Sequence, residues 1–174
     1  MNLYSSLETY VKSQKKISLY FFFLGFILLG IGAFFFFINS KDLFYQGLSA
    51  GSIGTGIITI LGGIIAGILN NRILNSVKDN YKSKKDIFLK NETRRIEKRL
   101  IIFSIIQTVA TILIILSIGV IISFKLPFPS GLFLAISLQC LGIISIESIF
   151  KYSINIYYEE LLSAHSSTFI LEDV

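Results

Sequence analysis

The chain has 174 residues, of which 53% are hydrophobic and 16% are charged, and its formal net charge is +5. A soluble domain usually has about 25% charged residues, so this composition excludes an ordinary soluble domain. The positive charge lies beside long apolar blocks, where membrane orientation accounts for it. We therefore expect a lipid bilayer, and not nucleic acid, as the partner of the basic residues.

The apolar residues are concentrated in four blocks, at 17–38, 47–69, 100–124 and 128–150. The first three contain no charged residue, and the fourth contains only Glu147. About 20 apolar residues are needed to cross a hydrocarbon core roughly 30 Å thick, and none of the blocks alternates as a membrane β-strand does. We predict an all-α integral membrane protein whose four blocks are transmembrane helices in two antiparallel hairpins.

The N-terminal segment, 1–16, places Leu3, Leu7, Tyr10 and Val11 at helical spacing. This spacing favours a short helix on the membrane surface, with a frayed terminus as the alternative. The first apolar block is too long for a signal peptide and lacks a small-residue cleavage site, so we expect a retained span. The outer loop, 39–46, is short, which predicts that the first two spans are antiparallel neighbours.

The second block contains seven of the thirteen glycines of the chain. They fall on two opposite faces of a helix, and small residues in membrane helices mark the close approach of a neighbour. We predict that the second span is a central helix with a neighbour on each side, although glycine is also commoner in membrane helices generally. The predicted packing glycines are Gly47, Gly51, Gly54 and Gly62 on one face and Gly56, Gly63 and Gly67 on the other.

The segment 70–99 contains ten Lys or Arg and four Asp or Glu, and we predict a basic helical hairpin in the cytoplasm. The second span continues into it through an apolar face formed by Ile73, Leu74, Val77 and Tyr81. Asn91 could cap the following helix, and Asp86 could do so if that helix starts earlier. Glu92 with Arg95, and Arg94 with Glu97, have the i,i+3 spacing of helical ion pairs. The predicted basic contact residues are Lys84, Lys85, Arg94, Arg95, Lys98 and Arg99.

Two glutamines and one glutamate interrupt the third and fourth spans, which are joined by the outer turn 125–127. We expect Gln107 to form a hydrogen bond between helices, and Gln139 lies near the middle of the membrane. Glu147 lies near the end of the fourth span, where we expect an ion pair with Lys151 or with an arginine of the segment 70–99, Arg95 or Arg99. A transport or proton role for Glu147 is the alternative, because ionisable residues within spans are functional candidates.

Orientation follows from the lysine and arginine counts of the short loops. The N-terminal tail has three and the segment 70–99 has ten, whereas the two outer loops have one each, Lys41 and Lys125. We predict that both termini, including the C-terminal segment 151–174, and the segment 70–99 face the cytoplasm. The abundance of Ile, Lys, Phe and Asn suggests a bacterial gene, so we expect the inner (cytoplasmic) membrane.

A weak internal repeat relates the two halves of the chain. A shift of 84 residues places Gly47–Leu48 on Gly131–Leu132, Lys41 on Lys125 and Ile17 on Ile101. Both halves begin on the same side of the membrane, so a symmetry axis would lie along the membrane normal. Chance is the alternative explanation, because apolar hairpins of low complexity align easily.

No catalytic motif or cofactor signature stands out in the sequence. The single cysteine, Cys140, excludes an intrachain disulfide, and the single histidine, His165, excludes a histidine cluster for a metal. We therefore expect no enzymatic activity, no cofactor and no metal. The expected function is a non-enzymatic membrane protein acting through a protein partner or self-association, as a complex subunit, accessory factor or toxin-immunity protein. A small oligomeric channel or transporter is the alternative.

Overall fold

The computed structural model describes the backbone of residues 3–38, 41–83 and 85–172 and the side chains of residues 5–38, 41–72 and 88–164. Within these residues the chain is all-helical. The helices are α1 (Leu3–Ile38), α2 (Leu43–Ser83), α3 (Lys85–Phe124) and α4 (Pro127–Glu172). All four are long and apolar enough to cross a membrane, as predicted for a multi-pass membrane protein.

Short polar turns set where α2 and α4 begin. The backbone N–H of Phe44 donates to Asp42 Oδ1 at 2.8 Å, so Asp42 caps the first turn of α2. The helix therefore includes residues 43–46, which the sequence assigned to the outer loop. Lys125 has a φ of 48°, the left-handed conformation that ends many helices, and Pro127 occupies the first position of α4.

The N-terminal segment is part of α1 and not a separate helix on the membrane surface, so that prediction was wrong. Leu7, Tyr10 and Val11 are buried. They pack with residues of α3 and α4 in one hydrophobic cluster, of which Leu89 and Leu161 are fully buried members. Burial against other helices uses the same apolar face that would otherwise lie in the lipid headgroup region.

The segment 70–99 is divided between α2, which continues to Ser83, and α3, which begins at Lys85. Asn91 lies inside α3, so its predicted role as a cap was wrong, and Asp86 lies in the first turn. The predicted apolar face of α2 falls outside the described side chains, as do Lys84 and the side chain of Lys85.

The first two helices contact each other over most of their length. Ser49 Oγ donates to the carbonyl oxygen of Gly32 at 2.7 Å. Towards the other end of the pair, an ideal Cβ on Gly67 would lie 3.3 Å from the hydroxyl of Ser18. Residue numbers therefore increase along α2 as they decrease along the facing part of α1, so the two helices are antiparallel.

Helices α2 and α4 run in the same direction and cross closely. An ideal Cβ on Gly51 would lie 2.8 Å from Cβ of Ala135. Further along, the side chain of Gln139 reaches the carbonyl oxygen of Thr55 at 3.5 Å, a pair that is 84 positions apart. Gly51 and Ala135 have the same separation, so residues related by the repeat meet each other at the crossing.

The arrangement has two inner helices and not one. Helix α4 contacts α1, α2 and α3, while α2 contacts α1 and α4 extensively and α3 only briefly. Among the described residues, no Cα atom of α1 lies within 8 Å of a Cα atom of α3, so these two helices meet only through side chains. Helix α2 has a neighbour on each of two faces, α1 and α4, as predicted for the second span. Helix α4 is a second inner helix, which the sequence did not predict.

Candidate functional site

Six polar and aromatic side chains from all four helices meet at one end of the bundle. We call them the polar cluster, and they are Tyr10 of α1, Asn70 of α2, Glu92, Arg95 and Arg99 of α3, and Tyr157 of α4. Tyr10, Asn70, Glu92 and Tyr157 are buried, and the two arginines are half-buried. Such a cluster is stable only when its donors and acceptors are paired, because unpaired polar groups are costly to bury.

Glu92 is the acceptor at the middle of the polar cluster. Arg95 Nε donates to Glu92 Oε2 at 2.8 Å, and the hydroxyl of Tyr157 donates to Glu92 Oε1 at 3.3 Å. The predicted i,i+3 ion pair between Glu92 and Arg95 is confirmed. The sequence did not predict where this pair lies: Glu92 is buried, Arg95 is half-buried, and Glu92 also accepts a hydrogen bond from α4.

Tyr10 connects α1 to the same cluster. Its hydroxyl accepts hydrogen bonds from Arg95 Nη2 at 3.3 Å and from Arg99 Nη1 at 3.1 Å. Its ring stacks on the ring of Tyr157 with centroids 4.6 Å apart. Arg99 Nη2 also donates to Asn70 Oδ1 at 3.1 Å, which adds α2 to the cluster.

The electrostatics of the cluster favour the charged arginine and the neutral tyrosine. Burial, together with the negative charge of Glu92, raises the pKa of Tyr157. Burial alone would lower the pKa of Arg95, but its hydrogen bond to Glu92 and the nearby Tyr10 raise it overall. Arg95 and Tyr157 therefore keep their charge states near neutral pH, and both can hold the hydrogen bonds that join the helices.

The predicted basic residues separate into two sets. Arg95 and Arg99 point into the polar cluster. Arg94 and Lys98 are exposed, and with exposed Lys90 they form a row at i, i+4 and i+8 that we call the basic stripe. Among the described residues, Arg94 forms no ion pair with Glu97 within 4.0 Å, unlike the prediction from its spacing.

Glu147 is buried within the fourth apolar block, with 2% of its surface exposed. Among the described residues no lysine or arginine nitrogen lies within 4.0 Å of its carboxylate, and Oε2 has no hydrogen-bond partner. The predicted ion pair was therefore wrong. The nitrogen of Lys151, at i+4, lies more than 4.0 Å from the carboxylate. The two arginines at a similar depth, Arg95 and Arg99, form their hydrogen bonds within the polar cluster.

The two glutamines of the spans differ in their contacts. Gln139 Nε2 donates to Thr59 Oγ1 at 2.8 Å, which joins α4 to α2. Gln107 Nε2 lies 3.4 Å from Ser148 Oγ, at the limit of a hydrogen bond, between α3 and α4. Each glutamine therefore contacts a neighbouring helix, and the contact of Gln139 is the stronger.

The seven predicted glycines fall into three groups. Gly47 and Gly51 lie against α4, whereas Gly56, Gly63 and Gly67 lie against α1. Gly54 and Gly62 are exposed, and an ideal Cβ on either would meet no atom of another helix within 4 Å. The structure thus places neighbours on two faces of α2, but it does not bring Gly54 and Gly62 to either of them.

Comparisons of the chain with protein-family models, with curated proteins and with solved structures found no match. A functional proposal therefore depends on the geometry of the polar cluster, the basic stripe and Glu147.

Sequence reasoning did not assign Tyr10, Asn70 and Tyr157 to a site. The three residues lie in segments that are far apart along the chain, and none has a charge. In the sequence Tyr10 is simply one member of an apolar helical face. The one signal available was the i,i+3 spacing of Glu92 and Arg95, which gives an ion pair but not the helices around it.

Proposed function

We propose that this chain is a non-enzymatic multi-pass membrane protein that acts through protein-protein contacts, as a membrane-complex subunit, an accessory factor or a toxin-immunity protein. The observation that carries the proposal is the polar cluster, which joins all four helices at one end of the bundle. It fixes α3 in place while Lys90, Arg94 and Lys98 remain exposed. A fixed row of exposed charges suits the recognition of an acidic partner surface.

The polar side chains described above support binding more than chemistry. Both carboxylate oxygens of Glu92 accept hydrogen bonds, and the amide of Gln139 is bonded to a threonine of the neighbouring helix. These groups are occupied in holding helices together. The surface left for function is the exterior, and the basic stripe is its most distinctive part.

The proposal includes a topology of two antiparallel hairpins with a helical extension in the cytoplasm. The distribution of lysine and arginine among the loops supports it, as do the paired contacts of α1 with α2 and of α3 with α4. Compartment-sensitive tags test it. Tags at residues 1, 85 and 174 should report the cytoplasm, and tags at residues 41 and 125 should report the outside. One reversed tag would contradict the topology.

Purification of the tagged full-length chain from native membranes tests the protein-contact function. We expect a stoichiometric partner to co-purify with the wild type. The triple variant Lys90→Gln/Arg94→Gln/Lys98→Gln should lose most of that partner, because charge pairs at an interface guide recognition. The matched control is Lys41→Gln/Lys125→Gln, which removes exposed charges at the opposite end and should retain it. Equal recovery with both variants would contradict a role for the basic stripe.

A small channel or transporter is the second candidate, and Glu147 is the observation that favours it. A buried carboxylate without an ion pair in the described residues is the kind of group that binds a proton or a cation inside a membrane. The chain would act as an oligomer on this hypothesis, since four helices with few polar residues do not line a wide aqueous path.

Flux in liposomes separates the two candidates. If the chain transports protons or cations, Glu147→Gln should abolish flux, because the titratable group is lost while its size is kept. Glu159→Gln removes an exposed acid from the same helix and should retain flux. Absence of flux from the wild type, together with a co-purified partner, would favour the protein-contact function.

A further inference from the structure

A groove of about 420 Å³ runs between α1 and α2 on the outside of the bundle. Its apolar lining comes from Leu19 and Phe22 of α1 and from Ile64 and Ile68 of α2. Gly63 and Gly67 also line it, at positions where the lack of a side chain lets α1 and α2 approach closely, since an ideal Cβ on Gly63 would lie 3.1 Å from the backbone nitrogen of Phe22.

One end of the groove is polar and positively charged. Lys15 of α1 and Asn71 of α2 are both exposed and both line this end. The opposite end, at Phe22 and Ile64, lies deeper in the apolar blocks. An apolar groove that ends in the ammonium group of Lys15 and the amide group of Asn71 fits a molecule with a long hydrocarbon chain and an anionic head.

We propose that this groove binds an anionic phospholipid, with one acyl chain along the apolar lining and the phosphate at Lys15 and Asn71. The occupant is a lipid because Leu19, Ile64 and Ile68 lie in apolar blocks that face hydrocarbon. It is anionic because Lys15 brings to the head end a positive charge that no carboxylate pairs with among the described side chains, and a basic residue near a membrane surface attracts acidic lipids. This site is independent of the proposed function, since it lies on α1 and α2 and not on the basic stripe.

Lipid titration of the purified full-length protein in detergent tests the site, with native mass spectrometry to count bound lipids. The probes are phosphatidylglycerol and phosphatidylcholine with identical acyl chains. We expect the wild type to bind phosphatidylglycerol roughly fivefold more tightly, the factor that corresponds to about one basic residue at a membrane surface. Lys15→Gln should abolish this preference. Lys16→Gln is the matched control, because Lys16 lines a different cleft, and it should keep the preference.

A second pair of variants tests the apolar part of the groove. Gly67→Leu should weaken the binding of both lipids, because its side chain would enter the groove, and Gly62→Leu should not, because nothing lies within 4 Å of that position. Equal loss of the preference in Lys15→Gln and Lys16→Gln would overturn the proposal in favour of general charge attraction. Persistence of the preference in Lys15→Gln would overturn it as well, even if Gly67→Leu does not fold.

Discussion

Gly47 of α2 and Gly131 of α4 occupy reciprocal positions where the two helices cross. A Cβ atom on Gly47 would collide with the carbonyl oxygen of Phe128, and a Cβ atom on Gly131 would collide with the carbonyl oxygen of Phe44. Phe128 and Phe44 each lie three residues before the glycine of their own helix. The same contact thus occurs twice with the helices exchanged, as a two-fold relation between the halves of the chain requires.

Gly47→Ala and Gly131→Ala should destabilise the protein by similar amounts, because each methyl group must displace backbone of the facing helix. The expected loss is about 1–3 kcal/mol, typical of overpacking, and thermal unfolding in detergent measures it. Gly54→Ala and Gly62→Ala are the controls and should cause no loss, since their positions are open. An equal loss of stability in Gly54→Ala and Gly47→Ala would contradict a specific steric cost at the helix crossing.

Arg95→Leu should lower the free energy of unfolding by about 2 kcal/mol, because it leaves the buried carboxylate of Glu92 without its cation. Breaking a fully buried pair costs about 3–5 kcal/mol, and the lower figure reflects the 26% exposure of the Arg95 side chain. Arg94→Leu, at an exposed neighbouring position, should stay within about 0.5 kcal/mol of the wild type. Chemical denaturation of both variants compares them, and equal losses would contradict a structural role for the cluster.

Tyr157 should make stability depend on pH in the alkaline range. Burial raises the pKa of its hydroxyl above the usual 10.0, so the folded chain keeps the proton at a pH where the unfolded chain releases it. The contribution is therefore fully present below pH 10 and decreases as the pH rises beyond it. Between about pH 8 and pH 11 the wild type should lose more thermal stability than Tyr157→Phe. Parallel curves for the two proteins would contradict the prediction.

The hydrogen bond from Gln139 to Thr59 should contribute measurably to the contact between α4 and α2. A double-mutant cycle with Gln139→Leu and Thr59→Val should give a coupling energy of about 0.6 kcal/mol, the average for such bonds in membranes. The comparison pair is Gln107 with Ser148, whose longer distance of 3.4 Å should give a smaller coupling. A larger coupling for the comparison pair would reverse this ranking of the two contacts.

Glu147→Gln should leave thermal stability unchanged or raise it. The carboxylate is buried, and no lysine or arginine nitrogen lies within 4.0 Å of it among the described residues, and a buried charge without a close partner is unfavourable. An amide of the same size removes the charge and keeps the hydrogen-bonding capacity. The melting temperature in detergent tests this, with exposed Glu159→Gln as the control. A clear drop for Glu147→Gln alone would indicate a cation partner that the described contacts do not include.

The sequence by itself determined the four apolar helices, because about 20 residues without charge can cross a membrane only as a helix whose backbone hydrogen bonds are internal. It also predicted correctly that Glu92 bonds Arg95, since a spacing of three residues brings their side chains together on any helix. These features depend on local spacing and on the preference of side chains for hydrocarbon or water. Both are properties of a segment considered alone.

Only the tertiary structure decided which residues of different helices meet. Tyr10, Asn70, Glu92 and Tyr157 lie in four separate segments, and helical periodicity carries no information about their distances. The failures have the same cause: Leu7 and Tyr10 have an apolar spacing that suits either a membrane surface or another helix, and only the position of α4 selects the second. For Glu147 the sequence likewise offers three cations, Lys151 at i+4 and two arginines at a similar depth. Arg95 and Arg99 instead bond Glu92 and Tyr10. Helix rotation and crossing set these contacts, and they follow from the packing of the whole bundle.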